Sequence, residues 1–235
     1  MTFIGVFPLL AAGLAIGLGA IGSAIGEGII AMKAMSALGR QPHASGKIVR
    51  VMIIGQAITE TAAIFAMVIA LLLVFQPATS DLGKGIALIA SGIAIGFGTI
   101  GAGFGAGLPG GSAMDGIGRH PENTDILTVQ MVIGQAVTQT SCIFALSISL
   151  ILMMATPEAS IGRLAALLGA GFAMGLGAIG PGIGDGIVAK NANAAVGKNP
   201  RQMGLLTRTM IIGQAITETT DIYSLVIALM LIFVV

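Results

Sequence analysis

Charge, aromatic residues and cysteine are all scarce in this chain. Only 9 % of its 235 residues are Asp, Glu, Lys or Arg, against about a quarter in a soluble domain. The net charge is +1, so there is no basic surface for nucleic acid. Tryptophan is absent and Tyr223 is the single tyrosine. Cys142 is the only cysteine, which excludes a disulfide and a thiol cluster for metal. It lies in an apolar run and reads as a small buried hydrophobe. No glycine–lysine phosphate loop occurs, so a nucleotide site is not expected. No resident cofactor is expected either.

What the chain has is apolar length and glycine. Hydrophobic residues make up 55 %, glycines number 36, and the mean hydropathy is +0.99. Six apolar segments run over about 8–38, 47–75, 82–116, 125–155, 160–195 and 203–235. At ~1.5 Å per helical residue each exceeds a ~30 Å hydrocarbon core. The N-terminus is not read as a leader peptide. Met1 to Leu10 carry no positive charge, and the apolar run continues into a segment matched twice downstream.

The segments form an internal repeat. Ile54-Gly55-Gln56-Ala57-Ile58-Thr59-Glu60-Thr61 returns 79 residues later as Ile133-Gly134-Gln135-Ala136-Val137-Thr138-Gln139-Thr140. It returns again, 79 residues on, as Ile212-Gly213-Gln214-Ala215-Ile216-Thr217-Glu218-Thr219. Three polar loops share the period: Gly39-Arg40-Gln41-Pro42, Gly118-Arg119-His120-Pro121 and Gly197-Lys198-Asn199-Pro200. Glycine followed closely by proline ends a helix and starts a turn. The spacing therefore predicts an all-α membrane protein of three tandem helical hairpins, 1–79, 80–158 and 159–235, all the same way up. Nine of the 11 Lys and Arg lie in or beside the three loops. The positive-inside bias then puts the loops in the cytoplasm and both termini outside.

The first helix of each hairpin is striped with glycine, as at Gly13, Gly17, Gly19, Gly22, Gly26 and Gly28. In water each would cost about 1 kcal/mol relative to Ala. In a membrane they let backbones approach closely, which suggests a helix squeezed against copies of itself. Residues 17–22, 96–101 and 175–180 also fit the dinucleotide fingerprint. No strand precedes them, so that reading is rejected.

Five of the ten acids, Glu27, Glu60, Asp185, Glu218 and Asp221, fall inside the apolar spans. A carboxylate at that depth costs at least ~2.5 kcal/mol and marks a functional site by default. No Lys or Arg shares that depth, so the acids must be protonated or hold a cation. Glu27 and Glu60 lie about equally far from their loop, as do Asp185 and Glu218, so folding brings each pair to similar depth. The middle hairpin has Ala106 and Gln139 there and no carboxylate.

Together the hairpin, the glycine-rich first helix, the Arg40-Gln41-Pro42 loop and the second-helix carboxylate resemble the rotor-ring proteolipid, or c-ring protomer, of rotary ATP synthases. The likeness spans essentially the whole chain. The loop triplet resembles the F-type, and fused hairpins with a lost carboxylate resemble V-type proteolipids. The resemblance implies a non-catalytic component that assembles into a homo-oligomeric ring among membrane lipid. It implies carriage of Na⁺ or H⁺ past a stator a-type subunit. It also implies that Arg40, Gln41, Pro42, Arg119, Pro121, Lys198 and Pro200 touch central-stalk subunits. Arg119-His120-Pro121 and Lys198-Asn199-Pro200 depart from the triplet.

Na⁺-binding members of that family use a polar first-helix residue, a second-helix Glu, a nearby hydroxyl and a Tyr. By that likeness the ion ligands are Asp185, Glu218, Thr219, Thr220 and Tyr223 in the third hairpin, and Glu27, Glu60 and Thr61 in the first. Ala106, Gln139 and Thr140 mark a silent middle site, whose Thr140 and Ser141 remain available to a neighbour. The implied membrane is an energy-coupling plasma membrane. A self-contained channel or secondary transporter, and a purely structural proteolipid, are the competing readings.

Overall fold

The computed structural model describes residues 6–79 and 81–234. Residues 1–5, 80 and 235 lie outside the described set, and with them the start of the segment tested as a leader and the outermost ends of the hairpins. Six helical spans are long and apolar enough to cross a membrane, and no strand occurs among the described residues. The first hairpin is α1 (Phe7–Arg40) and α2 (Ser45–Val74). The second is α3 (Leu82–Arg119) followed by α4 (Thr124–Thr138) and α5 (Thr140–Met154). The third is α6 (Ile161–Gly177) and α7 (Ile179–Lys198), then α8 (Met203–Phe233).

The three loops end their helices in one way. Gln41, His120 and Asn199 each precede a proline, which disfavours the helical conformation. Their φ/ψ values are −135/68°, −138/80° and −140/80°. Each still donates its N–H to the turn behind it, to Ala37, Gly116 and Ala195, at 2.9 Å. At the opposite end, Asp81 and Ser160 cap α3 and α6 by accepting from Gly83 and Arg163. Two cations finish outer helices there. Lys84 donates to the Ala155 carbonyl at 3.0 Å and Arg163 to the Ile232 carbonyl at 2.6 Å, the favoured placement of positive charge at a helix C-terminus.

Two of the six expected spans are interrupted. The third hairpin's first helix breaks at Ala178. Pro181 stands three residues on, and its missing N–H leaves the Gly177 carbonyl without its helical donor. The second hairpin's outer helix loosens at Gln139, with φ/ψ of −76/−8°. There the Gln139 carbonyl is shared, accepting from Ile143 N at 3.3 Å and from Cys142 Sγ at 3.0 Å.

First helices pack side by side, α1 on α3 and α3 on α6 and α7, while the outer helices α2, α4–α5 and α8 touch one another sparsely. Glycine allows the close inner layer. A methyl group on Gly22 would collide with the Ile100 backbone, and one on Gly101 with the Ile179 backbone. These two contacts are the same contact one repeat apart. The middle hairpin is consequently the interior of the arc. Of the most apolar window of α3, 78 % is buried, against 17 % for α8 at the open edge.

Candidate ion-binding site

The intramembrane acids differ in how far the chain encloses them. Glu27 of α1 faces Glu60 of α2, close enough for their charges to interact. Glu27 is half-buried, whereas Glu60 is exposed on the single chain. In the third hairpin Asp185 of α7 is fully buried, and its Oδ1 accepts from the hydroxyl of Thr217. Glu218 lies next to it, half-buried, with Oε1 enclosed and unpartnered. Asp221, one turn further along α8, is fully buried. The ion pairs among the described residues, Lys33 and Arg40 with Asp115, Arg50 with Asp125, and His120 with Glu122, all belong to the loop end. None reaches these five acids.

A ladder of glutamines holds the hairpins at this level. Gln135 donates to the Ala106 carbonyl of its own hairpin at 2.9 Å and to the Gly55 carbonyl of the hairpin before at 3.0 Å. Gln214 repeats this toward Asp185 at 3.3 Å and Gly134 at 3.2 Å. Gln56 makes only the first of the two bonds, to the Glu27 carbonyl at 3.3 Å. Sequence repetition marked these glutamines but assigned them no role. A spacing of 79 residues shows that a group recurs, not what it touches.

The hydroxyls divide differently from the sequence expectation. Thr61 bonds back to the Ala57 carbonyl, Thr219 to Ile216 and Thr220 to Thr217. Thr219 and Thr220 are exposed on α8, and Tyr223 is 65 % exposed. Within one chain these groups do not converge on Asp185. Thr217 does, and the sequence reading passed it over. The signal was present: a shorter Asp stands at 185 where Glu27 stands in the first hairpin, and a short acid needs a nearby donor.

Gln139 occupies the carboxylate position of the middle hairpin and is 6 % exposed. Its Nε2 donates to the Ile58 carbonyl at 3.1 Å, and Cys142 Sγ lies 3.2 Å from its Oε1. Ala106 is fully buried opposite, and Thr140 is half-buried. In the loops, Arg40, Arg119 and Lys198 are exposed beside Gln41 and the prolines. Arg40 is drawn sideways to Asp115 at 3.4 Å.

Comparison with known proteins follows the repeat. The family model for the ATP synthase C subunit matches three times, over residues 10–73, 89–152 and 168–231. The K subunit of the A-type ATP synthase of Methanocaldococcus jannaschii is 30 % identical over 98 % of this chain and 97 % of its own length. The ATP synthase c subunit of Petrotoga mobilis is 53 % identical over 68 residues, 29 % of this chain and 71 % of that protein. That of Alkaliphilus oremlandii is 55 % identical over 69 residues, 29 % of this chain and 77 % of that one. Three tandem matches and a full-length relative place the chain in the ATP synthase C-subunit family, as a fused three-hairpin, non-catalytic rotor-ring component of a rotary ATP synthase.

Proposed function

We propose that Glu60 and Glu218 each carry one monovalent cation, Na⁺ or H⁺, through the membrane as the ring turns, and that Gln139 carries none. The observation behind this reading is the isolation of the two glutamates. Both sit at mid-span on outer helices, and every ion pair among the described residues lies at the loop end. An unpaired carboxylate is too costly to leave in hydrocarbon, so each must load a proton or a cation before facing lipid. Glu27 and Asp185 supply the facing oxygens. A cationic group of a stator a-type subunit would unload the glutamate, and the exposed loop residues Arg40, Arg119 and Lys198 would meet the central stalk on the cytoplasmic side.

The ring partner is supplied by the same register. Gly180 is the third-hairpin equivalent of Gly22 and Gly101, and it has nothing within 4 Å. By the repeat, its partner is Ile21 of an adjacent copy, and Gln56 of that copy finds its missing acceptor in the Gly213 carbonyl of this chain. Glu60, exposed on the single chain, is enclosed by the same contact.

Labelling with a hydrophobic carbodiimide, which attacks protonated carboxyls, tests the carriers. Peptide mapping of the assembled ring is expected to find Glu60 and Glu218 modified, with ATP-driven ion transport lost. A ring in which neither is modified, or one that transports normally as E60Q/E218Q, would remove the proposal.

A further inference from the structure

We propose that Asp221 and Ser141 hold a second monovalent cation, Na⁺ or a proton, in the seam between α5 and α8, and that this charge stays in place while Glu218 loads and unloads. The inference rests on Glu218 being the carrier of the third hairpin. Asp221 is fully buried, and neither of its carboxylate oxygens has a hydrogen-bond partner. The hydroxyl of Ser141, also fully buried, lies beside it without closing a hydrogen bond to any group. Asp185 Oδ2 and Glu218 Oε1 are enclosed and unpartnered in the same region. The other groups nearby are the Cys142 thiol, buried in α5, and the Thr217 hydroxyl.

Unpaired, a carboxylate buried in this way costs several kcal/mol, so it is neutralised or it is absent. The corresponding seam between the first two hairpins shows what absence looks like. There Asp221 is replaced by Cys142 and Ser141 by Ala62, two buried neutral groups packed together, and Gln139 closes its own hydrogen bonds. The first seam thus holds no carboxylate, whereas the second encloses four unpartnered carboxylate oxygens, two of Asp221 and one each of Asp185 and Glu218, with the Ser141 hydroxyl among them. Among the described residues no three acidic, His or Cys side chains converge closely enough for a metal ion. That points away from a polyvalent ion and toward monovalent charge shared between a carboxylate and a hydroxyl. Its place explains why it stays. Asp221 turns into α5, whereas the carriers reach the outer rim.

The test uses the intact synthase carrying the full chain. Rings are loaded with radiolabelled Na⁺, turned over by ATP hydrolysis in unlabelled medium, and counted. In parallel, infrared spectra in D₂O follow protonated carboxyls. The expected result is one monovalent charge per chain that survives turnover. It shows either as retained label, for Na⁺, or as a slowly exchanging carboxyl absorption, for a proton. D221N removes it, and E218Q leaves it. S141A, which keeps the carboxyl, is expected to weaken retained Na⁺ by roughly 10-fold or to shift the absorption, the loss of one polar contact to the bound charge. A wild-type ring that retains no such charge overturns the proposal, as does a D221N ring that still retains it. Should D221N not assemble, an S141A ring indistinguishable from wild type overturns it alone. Normal transport by E60Q/E218Q would instead refute the carrier assignment, whatever Asp221 holds.

Discussion

The side-chain amide of Gln139 donates to the backbone carbonyl of Ile58 across the seam between the first two hairpins, at 3.1 Å. An amide N–H thereby satisfies an oxygen that faces the carboxylate position of the next hairpin. The middle site is closed by its own side chain as well as uncharged. The third hairpin is the reverse case, with Glu218 and Asp185 each keeping an enclosed oxygen free.

Ring assembly is expected to depend on Gly180 in a way that folding of the chain does not. Gly101→Val drives a side chain into the Ile179 backbone within the chain and should abolish expression of folded protein. Gly180→Val meets nothing inside the chain, so the protein should fold and insert but fail to close a ring. Native gels of detergent-purified protein distinguish the two. A Gly180→Val ring of normal size would show that the hairpin register does not continue between copies.

Thr217→Val should weaken the third-hairpin site selectively. The hydroxyl donates to Asp185, and removing a hydrogen bond to a charged group costs about 1.5–3 kcal/mol. Ion affinity at Glu218, read from protection against carbodiimide, should fall roughly 10- to 100-fold. Labelling of Glu60 should be unchanged. Equal loss at both glutamates would mean the variant disturbs the whole ring.

Na⁺ and H⁺ separate by the same chemistry. If Na⁺ is carried, NaCl at fixed pH should slow carbodiimide labelling of Glu60 and Glu218 in the assembled ring. The sequence favours stronger protection at Glu218, from Tyr223 and Thr220. Within the chain it is Thr217 that bonds Asp185, so on the present proposal Tyr223→Phe should reduce protection less than Thr217→Val. Labelling that follows pH and ignores Na⁺ identifies H⁺ as the ion.

Much of the architecture was legible because its signals repeat. The apolar runs, the pre-proline loops and the 79-residue period each specify backbone, and the backbone follows them. The breaks at Ala178 and Gln139 were not. Pro109 lies inside α3 without interrupting it, whereas Pro181 accompanies a break, so proline alone does not decide. At Gln139 the cause is a tertiary contact to Ile58 together with sharing of its carbonyl. The pairing of Glu27 with Glu60 was readable from equal distances to a turn. Ser141 was placed at a neighbour's disposal by the likeness, but Thr217 and the glutamine ladder were not legible, because each acts across a seam between helices, and sequence spacing sets depth without setting azimuth.

The last expectation concerns the number of charges per turn. On the proposed assignment, with Gln139 closed on Ile58, carriers number two per three hairpins. Each elementary charge crossing 100 mV supplies ~2.3 kcal/mol, so fewer carriers supply less energy per ATP at a given voltage. The enzyme should need a steeper ion gradient to make ATP, and should pump against a steeper one when it hydrolyses ATP. Gln139→Glu tests this, paired with Ala106→Gln to place a polar group opposite. The new carboxylate faces the Ile58 carbonyl, two oxygens that repel until a proton or cation sits between them, so the added glutamate should load. Its loading is checked by carbodiimide labelling at position 139. The smallest imposed gradient that sustains ATP synthesis should then fall toward two-thirds of the wild-type value, as carriers rise from two to three per chain. A glutamate that loads while the threshold stays put would show that the charge count does not set the gearing.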